Sequence, residues 1–368
     1  MTRTTPPFRA DHVGSLLRPA ALKEVRARRE RGEISAGELR GAEDAAIEDI
    51  VGKQAEVGLR SATDGEFRRA MWHFDFLEHL DGVESFRADH GIAFKGGIET
   101  QPKGLRVTGK VGFSGHPMLG HFGFLRDHTR GAAKMTIPSP SVLHFRGGRR
   151  AISTEIYPDM EEFYRDLAFA YRGAVKAFAE AGCRYLQLDE VNLAYLCDPE
   201  QRQLLRERGD DPDRLPGIYA DMINTAIESR PADMRITMHL CRGNFRSSWI
   251  AQGGYEPVAE LLFNRIGVDG YFMEFDTERA GGFEPLRFVP ANKVVVLGLV
   301  TSKSGAVEPA AELERRIDDA AKYVHLEQLC LSPQCGFAST EEGNTLSEGE
   351  QWAKLARIVE VARTVWGE

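Results

Sequence analysis

The chain has 368 residues, 42% of them hydrophobic and 28% charged, and a formal net charge of -8. This is the composition of a globular protein, and the acidic balance argues against nucleic acid or an anionic membrane as partner. No apolar run reaches the roughly 20 residues a membrane-spanning helix needs. The N-terminus shows no signal-peptide core, and five cysteines are too few for a disulfide scaffold. The expectation is a cytoplasmic protein whose thiols are free for metal or catalysis.

In chain order, Arg9-Ala-Asp-His-Val-Gly-Ser15 reads as a short strand running into a turn. A helix follows from Pro19 to about Arg31. Ser35 and Glu38 form a capping box that opens a long helix ending near Gly58. Residues 59–65 read as strand then turn, and 67–80 as helix. Glycines and alternation across 82–115, as in Leu105-Arg-Val-Thr-Gly-Lys-Val111, predict a β-hairpin excursion. Residues 133–138 resume as a strand, and Pro158 starts a long amphipathic helix.

The cycle then becomes regular. Strands are expected at 185–189, 235–241, 271–276 and 293–300, with a last one leading to Cys335, and helical segments lie between them. Ser347 with Glu350 caps the final helix. About eight strand–helix units predict a single (β/α)₈ TIM barrel over residues 1–368, with an N-terminal helical extension and the 82–115 β-hairpin insertion. An open doubly wound sheet is disfavoured, because no Gly-x-Gly-x-x-Gly follows the first strand.

In such a barrel the chemistry gathers at the C-terminal ends of the strands. His239 and Cys241 share one strand face roughly 6 to 7 Å apart. Glu274 stands in the apolar run Tyr271-Phe-Met-Glu-Phe-Asp276, and Cys335 lies beside Gly336 where a strand gives way to a turn. One imidazole, two thiols and one carboxylate suit a tetrahedral Zn²⁺. Cys183, Cys197 and Cys330 read as small buried hydrophobes. Asp189 and Glu66 are candidates for a substrate ammonium group, while Glu190 is either a second site acid or a helix cap. His12 is either a pocket residue or a core histidine, and Lys303 either reaches an anionic substrate group or caps a helix. Two thiolates and a carboxylate make a zinc shell ill suited to ionising water, but one that leaves an added thiolate electron-rich. Alkyl transfer to a thiol is therefore read ahead of hydrolysis.

Val13-Gly-Ser15, Asp64-Gly-Glu66, Gln187-Leu-Asp-Glu190, Met238-His-Leu-Cys241, Phe272-Met-Glu274 and Pro333-Gln-Cys-Gly336 together resemble the catalytic barrel of cobalamin-independent methionine synthase, in its short single-barrel form. The resemblance implies that His239, Cys241, Glu274 and Cys335 bind zinc. It also implies that Gly14 and Ser15, with Glu66 and Asp189, hold the amino-acid part of homocysteine or methionine. Two segments depart from the family. Thr301-Ser-Lys303-Ser304 replaces Asp-x-His-Ser, which puts Lys303 where a proton-transfer histidine stands. Pro138-Ser-Pro-Ser141 replaces a loop whose tryptophan stacks on the pterin.

The expected partners are thus a small thiol, homocysteine first, and a methyl or alkyl donor, either methyltetrahydrofolate or another. A homo-oligomer is compatible with the chain. Two other readings stand beside this one. In one, a different thiol is alkylated, as in the similar epoxyalkane:coenzyme M transferases, with Lys303, Arg242 or Arg246 facing a sulfonate. In the other, the zinc site is closed and non-catalytic.

Overall fold

The computed structural model describes residues 3–367. A seven-stranded sheet runs in chain order: Ser61–Ala62, Ala132–Pro138, Tyr185–Glu190, Arg235–Leu240, Gly270–Glu274, Val294–Val300 and Leu329–Pro333. Every neighbouring pair is parallel. The central strands are buried along their whole length, as β-branched and apolar runs require when helices cover them. The first barrel strand expected from the sequence is reduced to one parallel bridge, Ala10 to Leu331. Asp11 donates its backbone N–H to Leu331 O at 3.0 Å, and Leu331 returns a bond to Arg9 O at 2.8 Å. On the other side, the Ser61 hydroxyl donates to the Asp11 carboxylate at 3.1 Å. The segment around Asp11 therefore closes the curled sheet, giving the TIM-barrel-like fold.

Helix boundaries follow local chemistry. Ser35 and Glu38 complete their capping box at the start of Ala36–Val57, and Gly58 ends that helix at φ 100°. Asp159 caps Met160–Glu180, whose apolar face is buried, and Ser347 with Glu350 caps Glu348–Trp366. The hairpin is present as Asp81–Arg87 paired antiparallel with Lys103–Gly112, and its tip carries a smaller pair, Ala93–Phe94 with Ile98–Glu99.

Two expectations are corrected. Residues 67–80 hold one short helix, Phe74–Leu77, because the Asp75 carboxylate accepts the backbone N–H groups of Ala70 and Met71 and folds the chain into turns. A helix unseen in the sequence, Pro117–His128, follows the hairpin, with His116 as its cap.

Inside the barrel, Val13, Tyr185, Phe272, Val294, Val296 and Cys330 form a small apolar cluster. Beside it the buried Lys134 ammonium lies 3.5 Å from Asp11 and 3.9 Å from the centroid of the Phe272 ring. Burial lowers the Lys134 pKa to about 8, against the pull of Asp11. The Asp11 carboxylate also accepts the backbone N–H groups of Phe8 and His12 and the Tyr185 hydroxyl.

Removing one member of such a pair strands the other in low dielectric, whereas removing both is close to neutral. Asp11→Ala is expected to cost about 3–5 kcal/mol in urea unfolding, and Asp11→Leu combined with Lys134→Met to recover most of it. An equal loss in the single and double variants would show that the ion pair is not what matters there.

Candidate active site

The strands place their chemistry at one end. Asp189 is in register with His239, His239 with Phe272, and Glu274 with Gly298, so the acidic and metal-ligating candidates lie at similar height on adjoining strands. Cys241 follows directly on its strand, and Cys335 lies just past the last one. The ligand atoms of His239, Cys241 and Cys335 all lie within 4.8 Å of one another, and the two Sγ atoms are 3.3 Å apart. All three residues are at most 5% exposed. His239 Nδ1 faces Phe272 O at 3.3 Å, while Nε2 is buried without a partner.

This donor set fits a metal ion. Burial pulls the His239 pKa down, but Cys241, Asp189 and Glu274 outweigh it and favour a positive charge there. The hydrogen bond with Cys335, and then burial, hold the Cys241 thiol well above its ordinary value. A cation is what would let both sulfurs ionise.

Glu274 is fully buried on the next strand but is not part of the three-residue group. One of its oxygens accepts the Arg242 backbone N–H at 2.9 Å, and the other pairs with Arg279. Burial would raise its pKa, yet Lys303, Arg279 and Arg242 together bring it below the ordinary value. The Arg242 guanidinium is committed to Gly253 O and the Tyr255 hydroxyl, which removes it as a partner for a substrate anion.

A cavity opens over this group, and its walls include Ser15, Glu66, Asp189, His239, Cys241, Cys335, Trp72, His73, Arg146 and Tyr195. Glu66 reaches it from a left-handed backbone position, φ 60°, which is rare outside glycine and marks a residue held in place by its surroundings. Its Oε1 accepts the Thr136 hydroxyl at 2.9 Å and lies 3.5 Å from Arg69, while Oε2 is buried without a partner. Gln187 donates to Asp189 Oδ1 at 2.7 Å and to Val13 O at 2.8 Å, which aims that carboxylate. Burial pushes Glu66 up to about 7 and raises Asp189 as well. Glu66 therefore holds a proton near neutrality unless another cation takes its place, and burial disfavours the Asp189 anion beside it.

Ser15 accepts the Ala338 N–H at 3.3 Å. Close packing fixes its neighbours: a Cβ on Gly336 would stand 2.0 Å from Ser15 Oγ, and one on Gly14 2.8 Å from Thr136. The remaining sequence candidates lie elsewhere. His12 is buried, does not line the cavity, and is lowered to about 4 by burial and then by Lys134. Glu190 is fully engaged as a cap: it accepts the Asn192 and Leu193 N–H groups at 2.7 and 3.1 Å and the Ser141 hydroxyl. Lys303 is outside the lining as well, with Nζ 3.3 Å from Gly243 O.

Sequence reasoning passed over Arg18, Arg69, His73 and Arg146. Arg18 donates to the carbonyls of Glu66, Arg69, Ala338 and Thr340, and so ties together the two loops that flank Ser15. No spacing rule signals such a clamp, since its acceptors are main-chain atoms far away in sequence.

Residues 138–364 match the family model for the catalytic domain of cobalamin-independent synthase. YxjH of Bacillus subtilis, an uncharacterized protein, is 51% identical over 98% of this chain and 95% of its own length. The chain belongs to that family. The methionine synthase of Pyrococcus abyssi is 24% identical over 96% of the chain and 91% of its own length. Among solved structures, the Listeria monocytogenes protein assigned as a vitamin-B12-independent methionine synthase covers all of both chains at 45% identity, with a TM-score of 0.80. A B12-independent methionine synthase from Shewanella, in complex with selenomethionine, shares the fold at 19% identity, with a TM-score of 0.72 over 97% of each chain. Family membership places the chain among the methyltransferases of the methionine synthase family.

The raised pKa of Glu66 has a signed consequence for stability. Between the ordinary 4.5 and about 7 the folded protein holds a proton that the unfolded chain has lost, so this group's contribution falls as pH rises through that window. Glu66→Gln is expected to raise stability at pH 8 by on the order of 1–3 kcal/mol, with the gain shrinking toward pH 4.5. Urea unfolding across pH checks it, and a gain independent of pH would contradict the assignment.

Proposed function

We propose that the protein is a zinc-dependent S-methyltransferase that methylates homocysteine to methionine. The observation that carries this reading is one cavity lined both by the three buried metal-ligating side chains and by a pair of proton-hungry carboxylates. His239, Cys241 and Cys335 would hold the ion, with Glu274 as the fourth ligand, on the strand between those of His239 and Gly298. When bound, zinc supplies Lewis acidity that lowers the pKa of an incoming thiol.

The protein's own groups do the rest. Glu66 Oε2, buried and unpartnered, and Asp189 receive the ammonium group of the amino acid, and that charge replaces the proton the pair otherwise keeps. Ser15, next to Gly14 and Gly336, orients the carboxylate end. Val13, Met71, Ile92 and Phe94 in the walls limit water, which strengthens every charge interaction inside. The two acids favour an amino-acid thiol over a sulfonate thiol of the coenzyme M type, which would leave them without a cation. Lys303 and Glu190 are assigned no step, because the partners described above already occupy them.

Cys241→Ala or Cys335→Ser is expected to strip the metal and abolish methionine formation, read by metal analysis and product assay. Asp189→Ala should keep the metal and weaken homocysteine binding about tenfold or more in calorimetry, the loss of a charged hydrogen-bonded partner. In the intact protein, homocysteine should add one sulfur to the metal's neighbours in X-ray absorption. An unchanged spectrum would favour a closed structural zinc site.

A further inference from the structure

The cavity carries polar groups that neither the metal set nor the carboxylate pair uses. His73 is fully buried in its wall, and both ring nitrogens lack a partner. Arg146 lines the same cavity with its Nε buried and without an acceptor, and it forms no ion pair with any described carboxylate. Its guanidinium carbon lies 5.9 Å from the centroid of the Tyr195 ring.

Arg146, Tyr195, Ile92 and Phe94 also line an adjoining outer groove, so the guanidinium stands where the inner cavity meets that groove. The groove's other cations are satisfied: Lys95 pairs with Glu200 at 2.9 Å and Arg208 with Asp210 at 2.6 Å. Burial, and then the charge of Arg146, keep His73 neutral. A neutral imidazole can donate one N–H without adding charge, and a guanidinium offers a fork of donors matched to a planar anion. A half-buried cation without a counter-ion, beside a buried donor without an acceptor, is an anion site awaiting its ligand.

We propose that Arg146, with His73 beside it, forms a subsite that binds a carboxylate or sulfonate carried by the methyl donor. The site is read from the cavity itself, and only the ligand's role as donor rests on the methyl-transfer reading. The donor class is a small acid bearing a transferable onium methyl. In transfer, a homocysteine sulfur lone pair forms the new S–CH₃ bond and the methyl's bond to the donor's onium sulfur breaks. That electron pair stays on the donor sulfur, which becomes a neutral thioether while its carboxylate stays anionic, and the thiol proton is released. Dimethylsulfonioacetate would leave as (methylthio)acetate.

The test uses the zinc-loaded, full-length protein and calorimetric titration with two probes, dimethylsulfonioacetate and trimethylsulfonium, which share the sulfonium and differ in the carboxylate. The wild type is expected to prefer the carboxylate-bearing probe about tenfold or more, the scale of one charged contact. Arg146→Gln should abolish that preference and Arg146→Lys restore part of it, while zinc content and homocysteine affinity stay at wild-type levels in both. No preference in the wild type, or the same preference in Arg146→Gln, overturns the proposal. Failure of homocysteine to bind, with the preference present and lost in Arg146→Gln, would remove the methyl-transfer reading and leave the subsite standing.

Discussion

Putting carboxylates and thiols at the dry end of a barrel is the constraint from which the rest of this structure follows. Each ion taken out of water costs several kcal/mol unless a partner meets it. The protein meets some of these charges itself. Lys134 faces Asp11 within the barrel, Arg69 faces Glu66, and Arg279 with the Arg242 N–H holds Glu274. What it leaves unmet is equally informative: Glu66 Oε2 and His239 Nε2, beside the Cys241 and Cys335 sulfurs that meet each other at 3.3 Å. These atoms lie in one cavity and ask for positive charge, in two forms. Soft sulfur and imidazole nitrogen suit a metal cation, and hard carboxylate oxygens suit an ammonium.

This division explains the order of elements along the rim. The candidate metal-ligating side chains His239 and Cys241 come from one late strand and its end, and Cys335 from the turn after the last strand, whereas Glu66 and Ser15 come from loops in the first quarter of the chain. Regular strands give the short, fixed separations that coordination needs. Around Ser15 and Glu66 the described residues have little sheet pairing, a two-residue strand and the isolated bridges at Ala10 and Met71. Their geometry is imposed instead by Arg18, whose guanidinium binds four carbonyls, and by the strained backbone at Glu66. The Glu66 and Ser15 side of the cavity thus depends on a buried side-chain clamp, and the His239, Cys241 and Cys335 side on the sheet.

That difference also decides what could be read from the sequence. The late strands, their caps and the set His239, Cys241 and Cys335 were legible, because each is written in local periodicity and a strand's face is set by counting in twos. The helix Pro117–His128 was not, since Gly120 and Gly123 dilute its pattern beside a glycine-rich hairpin. Residues 67–80 carried a helical pattern that lost to the Asp75 carboxylate, which captured two main-chain N–H groups. At the strand end, the sequence favoured Asp189 for a substrate contact and left Glu190 open between a second site acid and a helix cap. The short helix Asn192–Tyr195 separates them: Glu190 turns away to cap it, and Asp189 is left facing the cavity. Arg146 and His73 were invisible because what distinguishes them is the lack of a counter-ion for one and of hydrogen-bond partners for the other's ring nitrogens, a property of the folded surroundings and not of any motif.

The hairpin insertion roofs part of this rim. Lys95 donates its N–H to Trp249 O at 2.8 Å and accepts the Ser248 hydroxyl at 2.5 Å, and Phe94 packs against Phe245 with ring centroids 5.3 Å apart. The tip is therefore docked on the loop that leaves Cys241, and Ile92, Phe94 and Thr100 become cavity wall. Without that roof, water would solvate Glu66 and Asp189, their pKa values would fall toward the ordinary range, and a bound ammonium would gain little from them. With it, the same two acids are kept short of charge, which is what makes a cationic ligand their favoured partner. An element added to the barrel, and not the barrel itself, thus sets how strongly the site's charges act.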